Sequence, residues 1–368
     1  MLNYLKENGQ ISLADVPLND ADWLIFAQLA YLDFAGARSG VLLREAVAHA
    51  AVQESSHETE ERFPFQKRDD QRLCRLLMGA KRYESIRFEA FASIYNPEEE
   101  TQFAVLILTM LPNVRMVIFR GTDNTLAGWK EDFNLAFMPQ VPAQALALEW
   151  AARAAEETDQ LILAGHSKGG HLALYAAVGL EEAVQRKLRW AISLDGPGLT
   201  KKQVQSAGYA RVADKLRLIR PQASLIGQLF YAPASVRVVK SRTISLLQHY
   251  PYTWKTQGMD LASAQRPYPG EKLLGEILTE MVDQLPEDVR EKFVEAVYGI
   301  ISQAPAETFT QMLDSWLESA KAIARKLFST DKETAKLFAK VLSAFLKAAY
   351  ETLKNTIDPG DDESCTNA

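Results

Sequence analysis

The stretch Leu161-Ile162-Leu163-Ala164-Gly165-His166-Ser167-Lys168-Gly169-Gly170 decides how the chain is read. Its centre fits the G-x-S-x-G pattern of a nucleophile elbow. The four apolar residues before it read as a buried strand, and Gly170 to Ala177 after it read as a helix. Strand, tight turn and helix form the context the motif requires. A serine thrust out at such a turn sits in strained backbone, and side chains two positions to either side would collide with it. The helix N-terminus then directs its free N–H groups at developing negative charge. The alternative is a plain glycine-rich turn.

Working outward, the chain alternates strand and helix patterns around this point. A helix is expected at Val141 to Glu157, then strand Leu161 to Ala164, helix Gly169 to Leu180 and strand Leu188 to Leu194. A helix near Lys201 to Ser206 and strands at Leu216 to Arg220 and Val236 to Val239 follow. Upstream, Phe103 to Met110 and Val114 to Phe119 read as a hairpin joined by Leu111-Pro112-Asn113. Before it, Ile86, Phe88, Ala90, Ala92 and Ile94 alternate with Arg87, Glu89, Phe91 and Ser93 as a half-buried strand would. Such an order implies a mostly parallel sheet covered on both faces. Further upstream, helices fit Ala21 to Leu32, with Asn19 or Asp20 as cap, then Val41 to Val52 and Gln66 to Met78.

From about Gly270 no strand signal appears, and helices fit Glu271 to Gln284, Glu287 to Gln303, Ala306 to Phe328 and Asp331 to Lys354. The expected division is residues 1–269 as the α/β domain, 270–356 as a C-terminal helical region and 357–368 as a polar, disordered tail. In 334–354 an apolar stripe of Leu337, Val341, Phe345 and Leu353 faces Lys336, Lys340, Lys347 and Lys354. A stripe of this kind docks on the protein's own core or lies on a membrane surface as a peripheral contact.

Composition narrows the function. The 368 residues carry a formal net charge of −6, which gives no reason to expect nucleic acid as a partner. The two cysteines, Cys74 and Cys365, are far apart and fit neither a disulfide framework nor a metal site. The N-terminus lacks the pattern of a secretory signal, and the apolar run from Trp23 to Ala37 is too short to span a bilayer. A cytoplasmic location is therefore expected.

A serine hydroxyl needs a base to take its proton and an acid to orient that base. Behind such an elbow the chain order is Ser, acid, His. Of the 5 histidines, His49 and His57 precede the elbow, His166 lies inside it pointing away from the serine, and His171 follows the helix away from the site mouth. His249, in Gln248-His249-Tyr250-Pro251, is left as base; otherwise it is a surface-loop histidine. The carboxylates between Ser167 and His249 are Glu181, Glu182, Asp195 and Asp214. Glu181 and Glu182 end the nucleophile helix on the far side of the sheet, and Asp214 precedes its strand. Asp195 follows its strand directly, at the carboxyl edge where sites form in open α/β sheets. It serves as the acid or merely opens the Asp-Gly-Pro turn. The strand after it ends in Pro221-Gln222-Ala223-Ser224 without a carboxylate, although Gln222 or Ser224 has the chemistry to hold the imidazole by a neutral hydrogen bond.

An oxyanion hole needs two N–H donors. The backbone of Lys168 supplies one. The loop Phe119-Arg120-Gly121-Thr122-Asp123 is placed to supply the other, with Gly121 letting the backbone turn and Thr122 offering an N–H; the alternative is a simple strand-ending turn. The chemistry calls for no metal and no cofactor.

Val117-Ile118-Phe119-Arg120-Gly121-Thr122, Trp129-Lys130-Glu131-Asp132-Phe133 and Gly165-His166-Ser167-Lys168-Gly169-Gly170 together resemble the class 3 lipases. The chain also resembles a bacterial branch of lipase-like α/β-hydrolases of undefined function. That likeness rests on the helix opening at Asn19, on Leu194-Asp195-Gly196-Pro197-Gly198, and on the Pro221 to Ser224 and Gln248-His249 segments, over roughly residues 10 to 260. It implies an α/β-hydrolase fold with a mostly parallel central sheet, helices on both faces and a C-terminal helical extension. It implies hydrolysis of a small-molecule or lipid ester through Ser167, His249 and Asp195, with Thr122 and Lys168 in the oxyanion hole. A thioesterase or lysophospholipase on the same residues, or a catalytically silent binding protein on the same fold, are the alternatives. In class 3 lipases the acid follows the strand that here ends at Ser224, and an apolar residue stands at Lys168. The Lys168 cation would then bind an anionic group on the substrate, or brace the oxyanion loop through Asp123, Glu131 or Asp132.

Overall fold

In the computed structural model the described residues are 1–56, 64–96, 98–99, 101–110, 113–122, 140–224, 226–233, 235–243 and 248–265, with isolated helical positions beyond 265. The helices expected between 271 and 354, the tail 357–368, His57 and the segment from Asp123 to Asp132 lie outside the described residues, apart from those isolated positions.

Four helices precede the sheet: α1 (Leu2–Asn8), α2 (Asp20–Leu29), α3 (Leu43–Ser56) and α4 (Pro64–Met78). The sheet then builds from β1 (Ile86–Asn96), β2 (Thr101–Met110) and β3 (Val114–Phe119). Next come α5 (Pro142–Glu156), β4 (Gln160–His166), α6 (Lys168–Gly179), α7 (Glu182–Lys187) and β5 (Leu188–Leu194). After these follow α8 (Lys201–Val204), α9 (Ala207–Val212), β6 (Leu216–Pro221) and β7 (Ser235–Val239). A small antiparallel pair, β8 (Thr256–Gln257) and β9 (Asp260–Leu261), closes the described part.

The seven main strands lie in sequence order across the sheet. β1, β2 and β3 are antiparallel neighbours, and β3 through β7 are parallel. This order has a geometric consequence. Crossovers between parallel strands are right-handed, so when every step moves the same way the crossover helices all fall on one face. The core divides accordingly. On one face, Phe103, Val105, Ile107, Leu161, Leu163 and Ala191 pack with α5 and α6. On the other, the alternate residues Leu106, Leu108, Ile162, Ala164, Ile192 and Leu194 pack with the N-terminal helices. Both faces are covered, but by different parts of the chain. On the crossover face the buried side chains of α5 include Ala143, Ala147, Ala151, Ala154 and Ala155, small groups that let the helix lie close to the sheet.

On the N-terminal face, Asn19 caps α2 by accepting from Ala21 N at 2.9 Å, while Asp22 Oδ2 accepts from Asn19 N at 2.9 Å. Asp22 is fully buried with Arg82, which forks onto it through Nε at 2.7 Å and Nη2 at 2.6 Å. Tyr4 and Tyr83 donate to the same carboxylate. With Asn19 N, five donors compensate the charge and pin α1, α2 and the turn before β1 to one point.

Two expectations need correction. The alternation in β1 is broken by a bulge: Phe88 pairs with Leu108, and the next pair is Ala90 with Ile107, leaving Glu89 extra. One extra residue reverses the parity of everything after it. Ile86 and Phe88 therefore pack on the N-terminal face, whereas Ala90, Ala92 and Ile94 pack on the crossover face. Phe91, read as outward, packs against Phe34 on the N-terminal side. The helix read at Lys201 to Ser206 ends at Val204 as α8, capped by Thr200, and a second helix, α9, follows it, capped by Ser206. Ser206 competes for the backbone and restarts the helix.

Candidate active site

β4 lies between β3 and β5, and Ser167 stands between its last residue and the first of α6, with φ 58° and ψ −130°. A non-glycine residue in this region carries about 1–3 kcal/mol of strain, which the surroundings must hold. Ser167 N donates to Leu194 O at 3.0 Å, extending the β4–β5 pairing through the turn. A Cβ on Gly165 would lie 2.3 Å from the Gly169 carbonyl, and one on Gly169 would lie 2.1 Å from Phe119 O. Only glycine fits at either position.

Asp195 follows β5 at the same sheet edge, fully buried, with φ 52° and its N–H bonded to Ile219 O at 2.8 Å. Its Oδ2 meets His249 Nδ1 at 2.8 Å. Its Oδ1 accepts from Ser224 Oγ, which in turn accepts from Gly227 N at 2.8 Å. Ser224 therefore holds the carboxylate, not the imidazole. The carboxylate fixes the proton of His249 on Nδ1 and leaves Nε2 with a lone pair.

His249 comes from the segment after β7, and several bonds hold that segment in place. Gln248 Oε1 accepts from Ala223 N at 3.0 Å, Gln248 Nε2 donates to Thr243 O at 2.8 Å, and Trp254 Nε1 donates to Gln248 O at 2.8 Å. The His249 side chain is 29% exposed, enough to be reached from solvent. Among the described residues Ser167 Oγ makes no hydrogen bond, to His249 or elsewhere.

His166 has a larger part than the sequence suggested. Its ring is buried, and burial first, with the neighbouring His249 second, holds it well below the ordinary histidine range. The neutral ring donates from Nε2 to the backbone carbonyl of His249 at 2.9 Å and accepts at Nδ1 from Tyr31 Oη at 3.1 Å. Tyr31 sits just beyond α2, so an N-terminal element reaches the sheet edge that holds Ser167. No motif or periodicity marks Tyr31. His166 occupies a variable position of the elbow, and only the fold shows what it touches.

The loop after β3 passes directly over the nucleophile. A Cβ on Gly121 would lie 2.1 Å from Tyr31 Oη, 2.6 Å from His166 O and 3.0 Å from Ser167 Cβ. Gly121 is there for close approach rather than for a turn that requires left-handed backbone, since positive φ among the described glycines occurs at Gly36, Gly40 and Gly258. Thr122 is thereby carried to the edge that holds Ser167. Opposite it α6 begins at Lys168, and Gly170 N and His171 N donate to Ser167 O at 2.9 and 3.2 Å.

The Lys168 side chain is 1% exposed, and its Nζ donates to Gln102 O at 2.7 Å and Gln102 Oε1 at 2.8 Å, both on β2. The brace expected from Asp123, Glu131 or Asp132 lies outside the described residues. His171 is also buried and held low by burial; it bonds Gly198 O through Nδ1 at 2.8 Å and Gln144 Nε2 through Nε2 at 2.8 Å, steadying the turn after Asp195. His49 bonds Ala35 O at 2.7 Å and takes no part in the site.

Residues 77–299, more than half of the chain, match the family described as Mbeg1-like. The chain belongs to the Mbeg1-like family. The Mbeg1-like match begins inside α4 and takes in Gly121, Ser167, Asp195 and His249, while Tyr31 precedes it. No curated protein matches the sequence. Among solved structures the chain is similar to the crystal structure of M37 lipase, with 11% identity and a TM-score of 0.35 over 57% of this chain and 69% of that one. Among the described residues no helix is long and apolar enough to cross a membrane.

Proposed function

We propose that the chain is a serine hydrolase of carboxylic esters, acting through an acyl-enzyme on Ser167. The observation that carries this reading is the 2.8 Å bond between His249 Nδ1 and the buried Asp195, at the strand edge where the elbow presents Ser167. The lipase-like motif set from Phe119 to Gly170 supports it.

Ser167 Oγ attacks the ester carbonyl while His249 Nε2 takes its proton. Asp195 keeps the imidazole in the right tautomer and stabilises the imidazolium that forms. The N–H groups of Lys168 and Thr122 stabilise the oxyanion. The tetrahedral intermediate collapses, His249 returns the proton to the departing alcohol, and the acyl group stays on Ser167. Water, activated by the same histidine, then releases the acid. A small-molecule ester, a lysophospholipid or a thioester fits the same sequence of steps.

A fluorophosphonate probe tests the reading. Labelling of the native chain that is lost in Ser167→Ala supports it, and Asp195→Asn is expected to slow labelling by about two to four orders of magnitude. Absence of labelling under conditions that label a control serine esterase overturns it. A panel of esters of rising chain length, assayed below and above micelle formation, then separates soluble from lipid substrates.

A further inference from the structure

A cavity lies on the N-terminal side of the molecule, and Ser167, Asp195 and His249 are not among its lining residues. Its volume is about 440 Å³, and its walls come from α1, α4, Arg242 after β7 and the turn Pro251–Thr253. Five cations line it: Lys6, Arg68, Arg72, Arg75 and Arg242. Asp69 is the one carboxylate among its lining residues. The chain as a whole carries a net charge of −6, so this concentration of positive charge runs against the composition.

All five cations are exposed and open to a ligand from solvent. Arg68, Arg72 and Arg75 stand at i, i+4 and i+7 on one face of α4, and like charges at that spacing oppose the helix. Among the described residues Arg72 alone of the five has a carboxylate within ion-pair distance, Asp69 at 3.6 Å. Arg242 is held in place by its Nη2 bond to Tyr252 O at 2.7 Å, which fixes one edge of its guanidinium. Four of the five cations are arginines, whose planar forks match phosphate oxygens two at a time. The volume lies within the range of small-molecule sites and exceeds what one phosphate needs. Five cations against one carboxylate leave four positive charges, a match for two phosphoryl groups rather than one.

We propose that this cavity binds a ligand bearing two adjacent phosphoryl groups, either as a free diphosphate or as the headgroup of a bisphosphorylated lipid. The site is independent of the Ser167 reading and stands or falls by binding alone.

The test uses the full chain with two probes: inorganic pyrophosphate by titration calorimetry, and phosphatidylcholine vesicles carrying phosphatidylinositol bisphosphate by co-sedimentation. Pyrophosphate is expected to bind one to one, and affinity to fall at least about tenfold in Arg68→Gln/Arg75→Gln. The matched pair Arg186→Gln/Arg189→Gln, on α7 and β5, is expected to leave binding unchanged. Binding of vesicles but not pyrophosphate, with the same dependence on Arg68 and Arg75, assigns the lipid headgroup. Binding to neither probe, or equal loss in both variant pairs, overturns the proposal. If circular dichroism shows that Arg68→Gln/Arg75→Gln does not fold, the exposed Lys6→Gln variant replaces it and is expected to show a smaller loss in the same direction; no loss there overturns the proposal as well.

Discussion

His166 Nε2 donates to the backbone carbonyl of His249 at 2.9 Å, and the two rings lie 4.6 Å apart. The residue before Ser167 thus holds the segment that carries His249, across 83 positions of sequence. Because burial keeps His166 neutral, the bond persists at physiological pH with the proton on Nε2, and Tyr31 completes it from the other side.

His166→Phe keeps a ring against His249 and removes the donor. The segment that carries His249 then loses that hold. In the ester hydrolysis proposed above, kcat is expected to fall about tenfold to a hundredfold with KM nearly unchanged, since small misplacement of a catalytic group costs rate rather than binding. His166→Gln, which retains a donor, is expected to recover part of the loss. Steady-state kinetics on a chromogenic ester check this; equal kcat in wild type and His166→Phe would remove the positioning role.

Gly121→Ala places a methyl group against three neighbours at once. Tyr31 Oη, at 2.1 Å, is the end of a side chain and is able to retreat, but His166 O, at 2.6 Å, is backbone of the elbow. The loop itself must shift, and with it Thr122. In the hydrolysis proposed above, displacing the Thr122 donor is expected to cost about a hundredfold to a thousandfold in kcat. The double variant Gly121→Ala/Tyr31→Phe, which removes the hydroxyl, is expected to remain impaired because the backbone contact persists. Full recovery there would place the fault in the tyrosine contact alone.

His166 and His171 both lie below the ordinary value of 6.5 in the fold, chiefly because they are buried. In the unfolded chain each takes up a proton near 6.5, so between that pH and the lower folded value the unfolded state binds more protons. Stability is therefore full above about 6.5 and falls as pH drops below it, by up to about 1.4 kcal/mol per pH unit for each histidine. Urea denaturation at pH 7.5, 6.5 and 5.5 checks the slope. In His171→Leu the fall over that interval is expected to be shallower.

The parts of this protein written in short-range pattern were legible in its sequence. β5 falls at Leu188–Leu194 as expected, because a bounded apolar run admits little else, and the elbow announced its own turn through two glycines that nothing else can replace. Elimination led to Asp195 and His249, which the fold joins at 2.8 Å. What escaped depends on partners distant in sequence. The bulge at Glu89 switches the faces of β1 partway along, although the alternation in its sequence runs on unbroken. Tyr31 acquires a role only because a sheet with strands in sequence order needs its second face covered by the N-terminal helices. The cationic cavity draws on α1, α4 and Arg242, the last more than 160 positions beyond the other two, and no local window contains it.

Lys168 remains the position where the elbow departs from the apolar residue of class 3 lipases. Its ammonium is buried and bonded to both the main-chain carbonyl and the side-chain oxygen of Gln102, so it ties the start of α6 to β2. A cation committed in this way is poorly placed to meet a substrate. Lys168→Met keeps the length of the side chain and leaves two buried acceptors without that donor, at a cost of about 1–3 kcal/mol. The variant is expected to lower the urea midpoint while the ratio of kcat/KM between a neutral ester and its carboxylate-bearing analogue stays as in the wild type. A selective loss on the anionic ester, with the urea midpoint unchanged, would instead return Lys168 to substrate recognition.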